Sequence, residues 1–301
     1  ELVLIETNPG MEQRQRKRLE QHQRSCDPRQ SLSKRWSSLS ELKNSPVTGV
    51  LIAHELLDAF PVERLELKDG RLRRQTVQLL EDNDGNRVLN WGTEPIPQAL
   101  QERINSTLSA TQIALPPPDA EDGWTTEWHD ACASWFAEAS EALTAGHLLV
   151  VDYALEAHRY YSARRREGTL MAYRNQRACQ GFLVDAGQQD LTAHLCLETM
   201  VHQATTHGWT LEGQCRQGEA LLALGLAERF SSLQQLPGSQ LAELLQRREA
   251  LLRLVDPACL GEFRWLSFLR FNPLVPNTGT GERSQFLQEP SVINASTPSR
   301  P

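Results

Sequence analysis

The 301 residues include 38 acidic and 31 basic side chains, for a net charge of −7, with 40% hydrophobic and 23% charged residues. That balance is that of a globular chain long enough to bury a core, and the acidic excess argues against general binding to a nucleic-acid backbone. No run approaches the roughly 18 apolar residues of a membrane span. Six cysteines (Cys26, Cys132, Cys179, Cys196, Cys215 and Cys259) lie far apart with no CxxC pair. They suggest neither a zinc site nor a disulfide framework, and reduced thiols fit a cytoplasmic location.

The first element is a buried strand over 2–5, and a chain opening inside a core strand suggests missing upstream sequence. Asn8 and Pro9 then offer an N-cap and first turn for a helix to about residue 23. Its cations Arg14, Arg16, Lys17 and Arg18 read as a solvated face. An apolar run predicts a second buried strand over 48–53, followed by a short helical turn through Phe60. Residues 62–89 read as paired strands turning at Asp69-Gly70. A turn-rich segment at 116–126 precedes an amphipathic helix over 126–143, whose stripe of Trp128, Cys132, Trp135 and Phe136 reads as core packing.

Residues 147–153, HLLVVDY, form a third apolar strand that ends in Asp152. The arginine-rich stretch 154–192 reads as a loop. A helix over 195–207, a strand over 209–215, helices near 217–230 and 239–254, and a strand over 262–271 follow. The five prolines of 272–301 suggest a disordered tail. Buried strands separated by helices predict a parallel α/β sheet. This gives a partial core at 1–62, an inserted hairpin region at 63–126, core again at 127–153, and a substrate-side insertion with the C-terminal core at 154–271.

In such sheets ligands bind beyond the carboxyl ends of the strands, where Glu6, Glu55, Asp58 and Asp152 all fall. Glu6 suits either a ribose diol or the positive end of the following helix. His54-Glu55-Leu56-Leu57-Asp58 differs from the zinc signature HExxH by Asp58 in place of the second imidazole, so a metal hydrolase is the weaker reading and no metal ligand is assigned. Glu55 and Asp58 suit a guanidinium held by paired carboxylates, with a local turn cap as the alternative for Asp58. Asp190 or Thr192 could cap the helix that follows, and His194, just before it, could act as a base or serve as a structural hydrogen-bonder.

Taken together, AHELLDAFPV at 53–62 with LVLIETNPGMEQRQRKRLE near the start, LLVVDY at 148–153, REGTLMAYRNQRA at 166–178 and DAGQQDLTAH at 185–194 resembles the MidA-like family of class I S-adenosylmethionine-dependent methyltransferases. That family includes the mitochondrial complex I assembly methyltransferase. The resemblance implies a Rossmann-like sheet with inserted segments, its first strand and Gly-rich loop missing from this chain. It implies S-adenosyl-L-methionine as cofactor, with Glu6, His54, Asp152 and Tyr153 on the cofactor side. Glu55 and Asp58 would be catalytic, and Asp190, Thr192 and His194 would lie on the substrate side. The implied partner is a protein substrate methylated on arginine, with a respiratory-complex subunit as the candidate. A non-catalytic assembly factor that keeps the fold is the competing reading. The family's Gly after the fifth-strand Asp-Tyr is here Ala154, and its frequent Asn is here His54.

Overall fold

The computed structural model describes residues 1–23, 32–81, 84–179, 181–233, 241–271 and 283–288. Strand β1 (Leu2–Ile5) leads into helix α1 (Pro9–Gln23) and pairs in parallel with β2 (Lys34–Ser37). Helix α2 (Leu39–Asn44) follows, and its Ser38 and Glu41 form a reciprocal capping box. Neither β2 nor α2 was expected, although the Ser-x-x-Glu spacing of the cap is visible in the sequence. Val3 of β1 packs with Leu39 and Leu42 of α2 against Val47, Leu51 and Trp135, which seats the small β1–β2 sheet against the main core.

Strand β3 (Val47–His54) is the expected apolar run, but neither it nor β1 is buried throughout as expected: Val50 and Ile52, like Leu2 and Ile5, are exposed. Beyond β3 the chain bends through 55–60 rather than forming a helical turn, and only Phe60 N–H closes back on Leu57 O at 3.2 Å. Next come β4 (Glu63–Lys68), β5 (Arg71–Glu81), β6 (Arg87–Glu94), α3 (Gln98–Thr111) and β7 (Thr125–Trp128). The four strands make an antiparallel sheet in the order β6-β5-β4-β7. Asp69 and Gly70 both take positive φ at the β4–β5 turn, as a tight two-residue hairpin requires. Leu100 and Ile104 of α3 pack on Leu65 and Trp128.

Residues 126–128 were expected to begin a helix. Pairing of Glu63–Glu66 with 125–128 overrides that periodicity, so α4 spans only Asp130–Ala142, and β8 (Leu143–Asp152) begins at once. The segment read as a loop contains short elements: β9 (Ala154–Leu155), α5 (Ala157–Tyr160), β10 (Met171–Arg174), β11 (Arg177–Cys179) and β12 (Asp190–Thr192). The last three form a small sheet ordered β11-β10-β12. Most arginines of the 154–192 segment are exposed, and some meet acids on the surface, as in Arg166 with Glu121 and Arg174 with Asp185.

Strand β13 (Leu195–Cys196) pairs with β9 and precedes α6 (Leu197–Thr206) and β14 (Thr210–Arg216). The predicted helix at 217–230 is divided into α7 (Gln217–Ala223) and α8 (Leu226–Leu233), with Gly225 at positive φ between them. Helix α9 (Leu241–Val255) and β15 (Arg264–Arg270) complete the core. The main sheet runs β14-β15-β8-β3, with β3 and β8 parallel and β15 antiparallel to its neighbours β8 and β14. The expected all-parallel sheet is therefore mixed. A strand returning through α7–α9 reaches the sheet from the opposite end, so its direction is reversed.

One face of this sheet is buried under α4 and α6 by Leu148, Val150, Leu266 and Phe268 against Cys132, Phe136 and Met200. At about 25 cal/mol per Å2 of apolar area, this layer is the main source of the fold's stability. Gly146 lies opposite Gly49 in the β3–β8 ladder, and a Cβ there would stand 1.9 Å from Gly49 O. The expected tail at 272–301 falls mostly outside the described residues. Within 283–288, however, Ser284 N–H donates to Glu212 at 2.6 Å and Phe286 packs edge-on to Trp265 at 5.4 Å, so that stretch is ordered against the sheet. Among the described residues no helix is long and apolar enough to cross a membrane.

Candidate active site at the ends of β3 and β8

Because β3 and β8 are adjacent and parallel, with His54 beside Val151, their carboxyl ends open side by side. Glu55 is the first residue past β3, and its N–H donates to Val151 O at 2.9 Å. Its φ is +46°, a left-handed backbone that non-glycine residues adopt at a cost and that collects at functional sites. The turn is held from below by Asp152, which is fully buried. Asp152 Oδ2 accepts the N–H groups of Leu56, Leu57 and Asp58 at 3.3, 3.0 and 3.3 Å, and Oδ1 accepts Tyr153 N–H at 2.8 Å. Successive N–H groups of a tight turn converge on one anion in this way.

The consequences for charge are large. Burial, and then the neighbouring Asp58, push the Asp152 carboxyl up to about 7, although the N–H donors oppose the shift. Asp58 is 4% exposed, and its Oδ1 has no hydrogen-bond partner. Burial first, and Glu55 second, raise its pKa as well. Asp58 O in turn accepts Ala193 N–H at 2.9 Å, which ties the turn to the segment that carries Thr192 and His194.

Of the other expected residues, His54, Tyr153 and His194 gather at this edge. His54 and Glu55 are both exposed, 3.8 Å apart. The ring of Tyr153 lies 4.0 Å from that of Phe263 and stacks at 5.7 Å on His194, and His54 lies 6.3 Å from Phe263. Burial, then Glu55, raises the Tyr153 hydroxyl pKa. His194 is pushed down by burial and then by Arg165, so its imidazole is held neutral. Its carbonyl meets His129 Nε2 at 2.7 Å, and His129 is pushed down to about 4 by its own burial. Thr192 lines a cavity behind Asp58. Asp190 sits exposed at the start of β12 and does not line that cavity. Glu6 stands at the end of β1, where its Oε1 accepts Asn8 N–H at 2.9 Å and its Oε2 accepts Gln15 Nε2 at 3.0 Å. Both readings of Glu6 are compatible with this placement, since each oxygen keeps a free lone pair.

Asp152 is thus brought to the site as its internal support rather than as an open wall. Several residues around the cavity had no sequence signal because they come from separate strands: Arg64, Gln75 and Trp91. The same holds for Glu127, fully buried in β7, whose Oε2 accepts the N–H and hydroxyl of Thr169 at 2.8 and 3.1 Å. Among the described residues no group of three His, Cys, Asp or Glu side chains could hold a metal ion.

Comparisons with known proteins give the fold and the family. A crystal structure of a COG1565 superfamily member from Burkholderia thailandensis, bound to S-adenosyl-homocysteine, superposes with a TM-score of 0.73 at 26% identity, over 89% of this chain and 63% of that one. A native crystal structure of a COG1565 superfamily protein from the same organism gives the same score and identity, over 89% of this chain and 66% of that one. The chain thus spans just under two thirds of the length of these relatives. No curated protein matches it. The shared architecture is the Rossmann-like α/β fold of that superfamily, with inserted segments. The sequence profile of one family matches residues 1–215, from β1 into β14, and the chain belongs to that family, described as "Putative S-adenosyl-L-methionine-dependent methyltransferase".

Proposed function

We propose that the chain is a MidA-like enzyme that transfers a methyl group from S-adenosyl-L-methionine to a side-chain nitrogen of a protein, with arginine as the acceptor. The observation that carries this reading is Asp58: a buried carboxylate with an unanswered oxygen, beside the exposed carboxylate of Glu55, at the carboxyl end of β3. Two acids and no compensating cation on this turn suit a cationic group with several N–H donors. The same acidic edge suits a sulfonium nucleoside, and the S-adenosyl-homocysteine of the Burkholderia relative supports that fit.

When bound, S-adenosyl-L-methionine supplies a methyl group already activated for in-line displacement. The work left to the protein is positioning and proton removal. Glu6 holds the ribose hydroxyls, His54 and Tyr153 flank the cofactor, and Asp152 keeps the 56–58 turn in place. Glu55 and Asp58 fix the guanidinium so that one nitrogen faces the methyl group. Methylation of a guanidinium nitrogen releases one proton, and the raised pKa of Asp58 suits its Oδ1 to receive it. Thr192 and His194 border the acceptor side, and Asp190 stands at its outer margin. The partner in this reading is a protein substrate, with a respiratory-complex subunit as the candidate.

Transfer of a labelled methyl group to arginine-containing proteins tests it directly. Glu55→Gln and Asp58→Asn should each lower kcat by roughly 10²- to 10⁴-fold. Rates within a few-fold of wild type would remove both residues from the mechanism. Absence of cofactor binding by calorimetry would favour a non-catalytic assembly factor.

A further inference from the structure

Strand β7 belongs to the antiparallel sheet, not to the sheet that ends at Glu55 and Asp58, yet it reaches the segment that carries His194. Glu127 of β7 is wholly enclosed, and His129, just beyond the strand, is buried as well. A buried carboxylate costs stability unless its oxygens are answered. Arg64 Nε lies 3.7 Å from Glu127 Oε1, and Oε2 accepts both the N–H and the hydroxyl of Thr169, at 2.8 and 3.1 Å. Glycine at 168 lets the chain wrap this closely: its φ is +74°, and a Cβ there would stand 2.3 Å from Glu127 Oε1.

The Thr169 hydroxyl has a single proton. Given to Glu127, it leaves the oxygen free to accept, and Thr169 Oγ1 receives His194 N–H at 3.1 Å. The Tyr160 hydroxyl, the other group within reach of that proton, is farther away at 3.4 Å. The His194 carbonyl is fixed from the same strand end. A carbonyl can only accept, so His129 Nε2 donates at its 2.7 Å contact with His194 O.

On either side of His194 the chain is fastened to the methyl-transfer edge instead. Ala193 N–H donates to Asp58 O at 2.9 Å, and Leu195 N–H donates to Tyr153 O at 2.8 Å. Residues 193–195 therefore bridge β7 to the catalytic turn and to the end of β8. The His194 ring comes to rest stacked on Tyr153, with the ring centres 5.7 Å apart.

We propose, resting on the methyl-transfer reading above, that Glu127 and Thr169 are a positioning pair: Glu127 orients the Thr169 hydroxyl, which holds His194 against Tyr153 and so sets the acceptor side of the site. An oxygen at residue 169 is essential to this role, because a methyl group cannot accept the His194 N–H. The charge of Glu127 strengthens it, since hydrogen bonds to an ionised acceptor are about twice as strong as neutral ones.

Thr169→Val, Thr169→Ser and Glu127→Gln in the full chain test the pair with two readouts. The first is the His194 imidazole, followed by NMR in histidine-labelled protein without cofactor and assigned with His194→Gln. Burial, then Arg165, holds its titration midpoint below 6.5 in wild type. Thr169→Val should move that midpoint back up toward 6.5, and Thr169→Ser should keep the wild-type value. The second is labelled-methyl transfer to arginine-containing proteins. Thr169→Val should slow it roughly 10- to 100-fold, as misplacement of a group bordering the acceptor requires, and Thr169→Ser should recover most of the rate. Affinity for S-adenosyl-homocysteine, measured by calorimetry, should stay within about twofold of wild type in both, because only the acceptor side is disturbed. Glu127→Gln should move both readouts in the same direction by smaller amounts; where it does not fold, the two Thr169 variants decide. An unmoved His194 midpoint in Thr169→Val overturns the proposal, since the hydroxyl then does not hold the imidazole. Loss of cofactor affinity in step with the rate also overturns it, since Thr169 then supports the fold as a whole. Absence of transfer by wild type would instead overturn the methyl-transfer reading, and the His194 midpoint, which needs no catalysis, still judges the bridge.

Discussion

The substitution Asp152→Asn isolates the electrostatic cost of the support beneath the catalytic turn. It removes one ionisation yet leaves an oxygen for the N–H groups of residues 56–58. Asp152 is fully buried, and its carboxyl is raised from 3.8 to about 7. A raised folded-state value means that the folded protein binds the proton more tightly than the unfolded chain, so stability falls as pH rises between the two values. Between about pH 5 and pH 7 the unfolded group is already ionised and the folded one is not, which costs roughly 1.4 kcal/mol per pH unit, or about 2.7 kcal/mol over the interval. Urea unfolding of wild type and Asp152→Asn at about pH 5 and pH 8 measures it. The variant should gain roughly 2 to 3 kcal/mol relative to wild type at the higher pH. A wild-type-minus-variant difference that stays constant within about 0.5 kcal/mol would show that Asp152 is ionised at both values, and the account of its buried charge would be wrong.

Two further outcomes follow from neighbouring features. His129 has the opposite sign, since its folded value of about 4 lies below 6.5 and its stabilisation is lost as pH falls. Acidification from about 6.5 to 4 should therefore cost wild type roughly 3 kcal/mol that His129→Gln does not lose, which unfolding titrations of both proteins would show; parallel curves would mean that the imidazole is not buried neutral. Gly146→Ala would bring a Cβ to 1.9 Å from Gly49 O at a φ of +135°. A loss of about 3 kcal/mol or more is expected by thermal melting, and a neutral substitution would contradict the β3–β8 register.

Much of the layout was legible in the sequence because it rests on local chemistry. The apolar runs at 2–5, 48–53 and 147–152 do form strands, although Leu2, Ile5, Val50 and Ile52 are exposed rather than buried, and Asp69-Gly70 turns tightly as expected. The acids after those runs marked the edge where such sheets place their ligands, although Asp152 turned out to be enclosed there. The helix stripe of Cys132 and Phe136 is core, as its spacing predicts. Where long-range pairing competed with local periodicity, the sequence misled. Thr125–Trp128 became a strand because β4 offered it a partner, and β2 exists because β1 does.

The roles of individual site residues lay further out of reach. Glu55, Asp58 and Asp152 look alike in the sequence, as carboxylates that follow apolar runs. Only packing separates them into one exposed acid, one buried acid with an unanswered oxygen and one wholly enclosed acid that accepts four backbone N–H groups. The cavity behind Asp58 was invisible, since Arg64, Gln75, Trp91 and Thr192 reach it from four strands. Sequence alone determined where the sheet breaks into chemistry, because burial and hydrogen bonding constrain each segment locally. Tertiary structure alone decided which charge meets water, which meets backbone and which waits for a ligand, because desolvation depends on everything packed around a group and not on its neighbours in the chain.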